Sequence, residues 1–131
     1  MEIKVGEYIR TKDGVIAKVT YVDVMMIDCD RDVFDLNNLA MMEIPTEYIE
    51  EYIVKHRKQL IDLIDVGDIL KIKISEEWVE KQDTIKFVVV GQTYTITEIK
   101  ECLENGLFKI IQILTHEQFE ANCYKVGGED E

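Results

Sequence analysis

The sequence predicts a mainly β fold with short helices, built as two small SH3-like β-barrel halves that meet near Leu63. Stretches in which apolar and polar residues alternate recur in both halves, and this period of two is typical of half-buried strands. A Val-Gly-acid-apolar-apolar-base stretch occurs twice, at residues 5–10 and 66–71. Turn pairs such as Asp13-Gly14 lie between strand candidates and favour hairpins. The alternative is one α+β domain with a single sheet.

The repeated stretch is interpreted as the entrance to a strand. Glycine at this position permits a backbone turn or a close approach that a Cβ atom would forbid. We expect the preceding valine, Val5 or Val66, to anchor the turn in a core, and the following acid, Glu7 or Asp68, to face water. Six matching positions leave two interpretations open: a structural duplication, or two unrelated strand entrances.

The first half, residues 1–63, begins with an antiparallel meander. A strand at 8–11 is followed by the Asp-Gly turn and by an alternating stretch at 15–22, and a third strand is expected at 24–29. The side chains expected to face the core from the second strand are Val15, Ala17, Val19 and Tyr21.

Pro45 and Thr46 mark a helix start, and apolar residues follow at helical spacing up to Ile53. Residues 52–54 could instead form a strand that closes the first barrel. A short apolar helical turn at 60–64 leads into the second half.

The second half, residues 64–126, is expected to be rich in β structure. Four strands are predicted, at residues 69–74, 85–90, 93–96 and 107–114. A helix at 98–103 would be capped by Thr97, and the stretch from Thr115 to Gln118 has the residue types of a capping box before a last short helix. Residues 127–131 are predicted to be a disordered acidic tail.

The charge of the chain limits its partners. The formal net charge is −12, from 27 acidic and 15 basic residues. Such a chain repels the phosphate backbone and anionic lipid, so direct binding of nucleic acid is disfavoured unless the bases gather on one face. No apolar run approaches the length of a membrane span. The remaining partner type is a basic protein surface, particularly a groove that normally holds nucleic acid; otherwise the charge serves solubility.

Three scattered cysteines, Cys29, Cys102 and Cys123, form neither a disulfide framework nor a Cys-x-x-Cys metal site. Free thiols fit a reducing cytosol. The polar N-terminus leads directly into a strand pattern and is unlike a signal peptide. We therefore expect the protein to act in the cytosol.

Four aspartates and one tryptophan are the candidate partner-binding residues: Asp28, Asp30, Asp32, Asp35 and Trp78. The first three aspartates alternate as in the opening of a calcium-binding EF-hand loop, but Val33 takes the place of the required glycine and Leu39 that of the bidentate glutamate. We interpret the aspartates as a solvated face of an edge strand or turn. The tryptophan packs at the rim of a core or anchors an interface.

The sequence contains no catalytic or cofactor signature. Nucleophile elbow, phosphate-binding glycine loop and zinc-protease motifs are all missing, and His56 and His116 are 60 positions apart in polar contexts. We expect no enzymatic activity, no cofactor and no metal site. The abundant carboxylates leave a paired-acid site open.

Four stretches resemble a group of small proteins encoded by phages and prophages of Firmicutes. They are residues 3–14, 53–56, 60–68 and 115–120, and the resemblance is weakest from 75 to 106. The resemblance indicates a phage-encoded accessory protein but assigns no role to any residue. Small accessory phage proteins without catalytic motifs often bind host proteins, and they include anti-CRISPR and other anti-defence inhibitors.

Two functional hypotheses follow. The first is a non-enzymatic inhibitor that binds a host nucleic-acid-processing protein, plausibly a CRISPR nuclease, with acids in place of phosphates. The second is an SH3-like adaptor or nucleic-acid-binding module whose basic face would combine residues 55–58 with Lys18 and Arg10. The partner's identity and the oligomeric state stay open.

Overall fold

A computed structural model describes residues 2–31, 41–74 and 84–122, and the structural statements below concern these residues. Eight antiparallel strands form two sheets. The first has five strands in the order β4-β3-β2-β1-β5 and the second has three in the order β7-β6-β8. The strands of the first sheet are β1 (Tyr8–Thr11), β2 (Ile16–Val22), β3 (Met26–Asp30), β4 (Met41–Pro45) and β5 (Ile53–Arg57). Those of the second are β6 (Ile69–Ile74), β7 (Thr84–Val89) and β8 (Phe108–Leu114).

The helical segments are short. A 3₁₀ turn (Thr46–Tyr48) runs into α1 (Ile49–Tyr52), a second 3₁₀ turn covers Leu60–Leu63, and α2 (Ile96–Glu104) and α3 (His116–Asn122) belong to the second half. The mainly β, α+β prediction is confirmed. The first sheet ends at β4 on one side and at β5 on the other, so it is an open sheet and the predicted barrel closure is not observed.

Each sheet has its own hydrophobic core. The first core is centred on Ile9, Ala17, Val19, Ile27 and Ile53, and the second on other aliphatic residues. The fully buried members of the second are Leu70, Ile72, Val90 and Ile99. This separation agrees with a two-part architecture, while the division into halves at 63/64 stays a prediction.

The two Val-Gly-acid stretches adopt the same turn. Gly6 N–H donates to Val19 O and Gly67 N–H to Val90 O, each over 2.9 Å. Both glycines have positive φ, 93° and 97°, which favours a residue without Cβ. The acid of each copy also accepts a hydrogen bond from the backbone N–H three residues earlier.

The expected orientation of these turns was wrong. Val5 and Val66 are 61% and 66% exposed, whereas the Asp68 side chain is fully buried. The physical reason is that the carboxylate satisfies backbone donors and a cation inside the protein, and the valine points outward from the turn.

A β-bulge reverses one expected face of β2. Ala17 and Val19 are buried as predicted, but the register against β3 shifts between Val19 and Tyr21. One extra residue moves the following side chains to the opposite face, and Tyr21 is consequently 50% exposed.

The predicted return strand at 93–96 is wrong, since only an isolated bridge joins Val90 and Tyr94. Helix α2 begins earlier than predicted because Thr95, and not Thr97, forms its cap. Glu98 N–H donates to Thr95 Oγ1, and Thr95 N–H donates back to the Glu98 carboxylate, both over 3.1 Å. The other capping box is confirmed: Thr115 and Gln118 exchange the same pair of hydrogen bonds.

Candidate functional site

The outer face of the first sheet carries the two described candidate aspartates. Ile27 and Cys29 point into the core from β3, so Asp28 and Asp30 point outward by the period of two. The strand lies inside the sheet, between β2 and β4, which corrects the expected edge position. Asp32, Asp35 and Trp78 lie outside the described residues. We name the outward surface around Asp28, Asp30 and Glu43 the acidic face.

Two acids oppose each other across this face. Asp28 pairs with Glu43 in the register of β3 and β4, whereas Asp30 lies opposite Lys18 on β2. Directly opposed like charges destabilise a sheet. The Oδ1 atom of Asp28 is buried and finds no hydrogen-bond partner among the residues that the structure describes. The Asp28-Glu43 row therefore concentrates negative charge at a cost in folding free energy.

Removing one charge of this row should stabilise the protein. We expect Glu43→Gln to raise the free energy of unfolding by roughly 0.2–1 kcal/mol, because the repulsion across the strands disappears. Urea denaturation measures the change. In an Asp28→Asn background the same substitution should gain less, and an equal gain in both backgrounds would show that the two carboxylates do not interact.

The hairpin between β2 and β3 presents apolar side chains next to the acidic face. Asp23 accepts hydrogen bonds from the N–H groups of Met25 and Met26, at 2.6 and 2.8 Å, and these bonds lower the pKa of Asp23. The turn leaves Val24 89% and Met25 70% exposed. Sequence reasoning placed a turn near Asp23 but missed these exposed residues, although two bulky apolar residues directly after a turn aspartate were a visible signal.

A buried arginine joins the two halves. The Arg10 side chain has no exposed surface and forms a bidentate pair with Asp68, with N–O distances of 2.6 and 2.9 Å. Its other donors reach Glu117 and the backbone carbonyl of Leu63. Burial alone would lower the pKa of Arg10, but the hydrogen bonds that its guanidinium donates to Asp68 and Glu117 raise it. We name these side chains, together with Asp65, the charged junction.

Backbone contacts extend the charged junction. Asp68 also accepts from the N–H of His116 over 2.9 Å, and Thr115 Oγ1 donates to Gly14 O over 2.8 Å. Sequence reasoning missed this cluster because its members are separated by up to 107 positions.

Three possible metal-ligating side chains at the charged junction lie close enough together to hold a metal ion. One ligand atom each of Asp65, His116 and Glu117 falls within 4.8 Å of the others. Both carboxylates already face Arg10, with Asp65 Oδ2 3.5 Å from Nε and Glu117 paired to the guanidinium. A cation would have to compete with this fixed positive charge, so we assign the cluster a structural role.

The prediction of a basic face for a nucleic-acid-binding module is wrong for two of the residues named in it. Arg10 is buried in the junction, and Lys55 Nζ pairs with Asp65. Of the six residues named for that face, these two are therefore held by carboxylates and are not available to a phosphate backbone.

His56 lies beside Glu7, with Nδ1 3.2 Å from the carboxylate. Burial opposes ionisation of Glu7, but the hydrogen bond from Lys4 N–H and the His56 contact outweigh it and lower the pKa of Glu7 below 4.5. A carboxyl group whose pKa is lower in the folded state than in the unfolded state stabilises the protein at any pH above the unfolded-state pKa. This stability is lost as the pH falls through the folded-state pKa.

We therefore expect wild type to lose stability on acidification below about pH 4.5 more steeply than Glu7→Gln does. Urea midpoints between pH 7 and pH 3 measure the two slopes. Parallel curves would contradict the contribution of the Glu7 carboxylate.

Cys29 offers no activated thiol. Cys29 is fully buried, and burial together with the nearby Asp28 charge raises its pKa to about 11. A thiol in this state is protonated at neutral pH and is a poor nucleophile.

No helix of the described residues is long and apolar enough to cross a membrane. Comparison with known proteins gave no match to a family model, to a curated protein or to a solved structure.

Proposed function

We propose that this chain is a non-enzymatic accessory protein that binds and inhibits a nucleic-acid-processing protein of a bacterial host. Its acidic face would occupy a basic groove where phosphates normally lie, as an anti-CRISPR or other anti-defence inhibitor would. It would act in the host cytosol. The net charge of −12 and the resemblance to phage-encoded proteins support this proposal.

The opposed Asp28 and Glu43 carboxylates carry the argument. They cost folding free energy in the isolated protein, and a basic partner would relieve their repulsion. The adjacent Val24 and Met25 supply exposed apolar area for the short-range contact that charge alone does not give.

Absence of catalysis stays a prediction, supported by how the candidate groups are engaged. His56 contacts Glu7, and His116 lies 3.2 Å from Glu117, which itself pairs with Arg10. These contacts hold both imidazoles against carboxylates, and no nucleophile motif accompanies either histidine in the sequence.

Co-elution with purified host enzymes tests the proposal. The protein would be mixed at low salt with CRISPR nucleases, other nucleases and helicases, and each mixture run on a sizing column. We expect a salt-sensitive complex with at least one enzyme, weakened by Asp28→Asn together with Glu43→Gln. Glu104→Gln is a suitable control, because this exposed glutamate lies on α2, in the other half. No complex across the panel would refute the proposal.

One observation favours the alternative of a nucleic-acid-binding module. On the outer face of the second sheet Phe87 is 69% exposed, and Lys71 Nζ lies 5.9 Å from its ring centroid. An exposed ring beside a cation can stack a base and hold a phosphate. A gel shift with single-stranded DNA and RNA at low salt separates the hypotheses: binding that falls steeply with salt and is lost in Phe87→Ala would favour the alternative.

A further inference from the structure

A groove of about 380 Å³ runs beside edge strand β4. We name it the tyrosine groove, and its walls combine aromatic, apolar and acidic side chains. Its lining residues are Met42, Glu43, Ile44, Pro45, Tyr48, Glu51 and Tyr52.

The helical segment after β4 sets the positions of the two tyrosines. Ile49 is buried in the first core and fixes the start of α1, while Tyr48 and Tyr52 follow one helical turn apart on the same side. They are 47% and 41% exposed. Within the described part of the chain, the close ring-ring and cation-ring contacts involve other aromatics, and both tyrosines keep exposed surface that a ligand can reach.

The charged side chains that line the groove are acidic. Residues 41–52 include four glutamates and no lysine, arginine or histidine. Glu43 and Glu51 line the groove itself, and Glu43 belongs also to the acidic face. The groove is therefore continuous with the surface that we propose meets a basic partner.

We propose that the tyrosine groove binds an arginine side chain presented by the partner protein. A planar guanidinium stacks on an aromatic face and donates in a fork to a carboxylate, so it matches a wall of two tyrosines flanked by Glu43 and Glu51. Its aliphatic stem can lie along Met42 and Pro45. A lysine ammonium lacks the planar fork and fits this wall less well.

The identity of the partner that presents this arginine rests on the proposed function. The binding test described next does not depend on that function. The probe is N-acetyl-L-argininamide, added to the isotopically labelled full chain while amide chemical shifts are followed by NMR. We expect saturable shifts centred on Tyr48 and Tyr52, with a Kd on the order of 1 mM, as is reasonable for so small a ligand. Binding here without inhibition of any host enzyme would leave the groove assignment standing and remove only the proposed function.

Two matched probes isolate the guanidinium. The citrulline amide has nearly the same shape without charge, and we expect it to bind roughly tenfold more weakly. N-acetyl-L-lysinamide should also bind more weakly. Equal binding of either probe, or shifts that do not saturate, would overturn the arginine assignment.

Variants locate the site. Tyr52→Leu keeps an apolar side chain without the ring, and Glu51→Gln keeps the shape without the charge; each should weaken argininamide binding roughly three- to tenfold. Tyr21→Leu is the control, because Tyr21 is similarly exposed but donates to Asp23 on the β2-β3 hairpin. The NMR spectrum reports folding of each variant directly. Unchanged affinity in both groove variants, or an equal loss in the control, would overturn the proposal.

Discussion

Arg10→Met is expected to lower the free energy of unfolding by about 3–5 kcal/mol, since it leaves buried carboxylate charge without its partner. Asp68 has no exposed surface, and Arg10 supplies both of its short ion-pair contacts. Methionine fills similar space but donates no hydrogen bond. The loss should appear in chemical denaturation at neutral pH.

The matched control for this substitution is Arg57→Met. The Arg57 guanidinium is exposed and donates to the carbonyl of His56, so its loss should change stability by no more than about 0.5 kcal/mol. A double-mutant cycle with Asp68→Asn completes the test. The two substitutions should couple by roughly 0.5–3 kcal/mol, because the second removes the charge that the first left unpaired. Additive effects would contradict a bidentate pair at the junction.

Gly14→Ala is expected to destabilise the protein much more than Gly6→Ala. Both glycines have positive φ, 82° and 93°, so each substitution carries a backbone cost of order 1–3 kcal/mol. Within residues 2–31, 41–74 and 84–122, and apart from its chain neighbours, a Cβ on Gly6 meets no atom within 4 Å. A Cβ on Gly14 would overlap Thr115 Oγ1 and lie 2.9 Å from Glu117 Cβ.

The overlap at Gly14 cannot be relieved cheaply, because Thr115 is 1% exposed and its hydroxyl donates to Gly14 O. Overpacking of this kind adds roughly 1–3 kcal/mol to the cost at Gly14. Thermal and urea unfolding of the two variants measure the difference. Equal losses would mean that the loop after β1 does not pack against the start of α3.

The element order was largely predictable because short-range rules govern it. Alternation located β2 and β6, and the Asp-Gly turn and the Thr115 capping box formed as their residue types indicate. The wrong predictions concern places where the strand register or the helix start differs by one or two residues from the expected position. The bulge after Val19 exposed Tyr21, and the choice between Thr95 and Thr97 as cap depended on a two-way hydrogen bond with Glu98.

The charged junction was not predictable from a single sequence. Arg10 and Lys55 resembled surface bases, and Asp68 resembled a turn acid, because nothing local distinguishes a buried ion from an exposed one. Only the tertiary fold brings Arg10 within reach of Asp68, 58 positions away. The tyrosine groove was not predictable either. Tyr48 and Tyr52 fit the pattern of an amphipathic helix start, but this pattern does not show that strand β4 lies beside the two tyrosines.

We propose that the protein competes with nucleic acid for a basic protein surface and does so without catalysing a reaction itself. Cleavage by each enzyme of the panel, followed at increasing concentrations of nucleic-acid substrate, tests this claim most directly. We expect inhibition that more substrate overcomes and that Asp28→Asn with Glu43→Gln weakens. Uninhibited cleavage throughout, or equal inhibition by that variant, would contradict it.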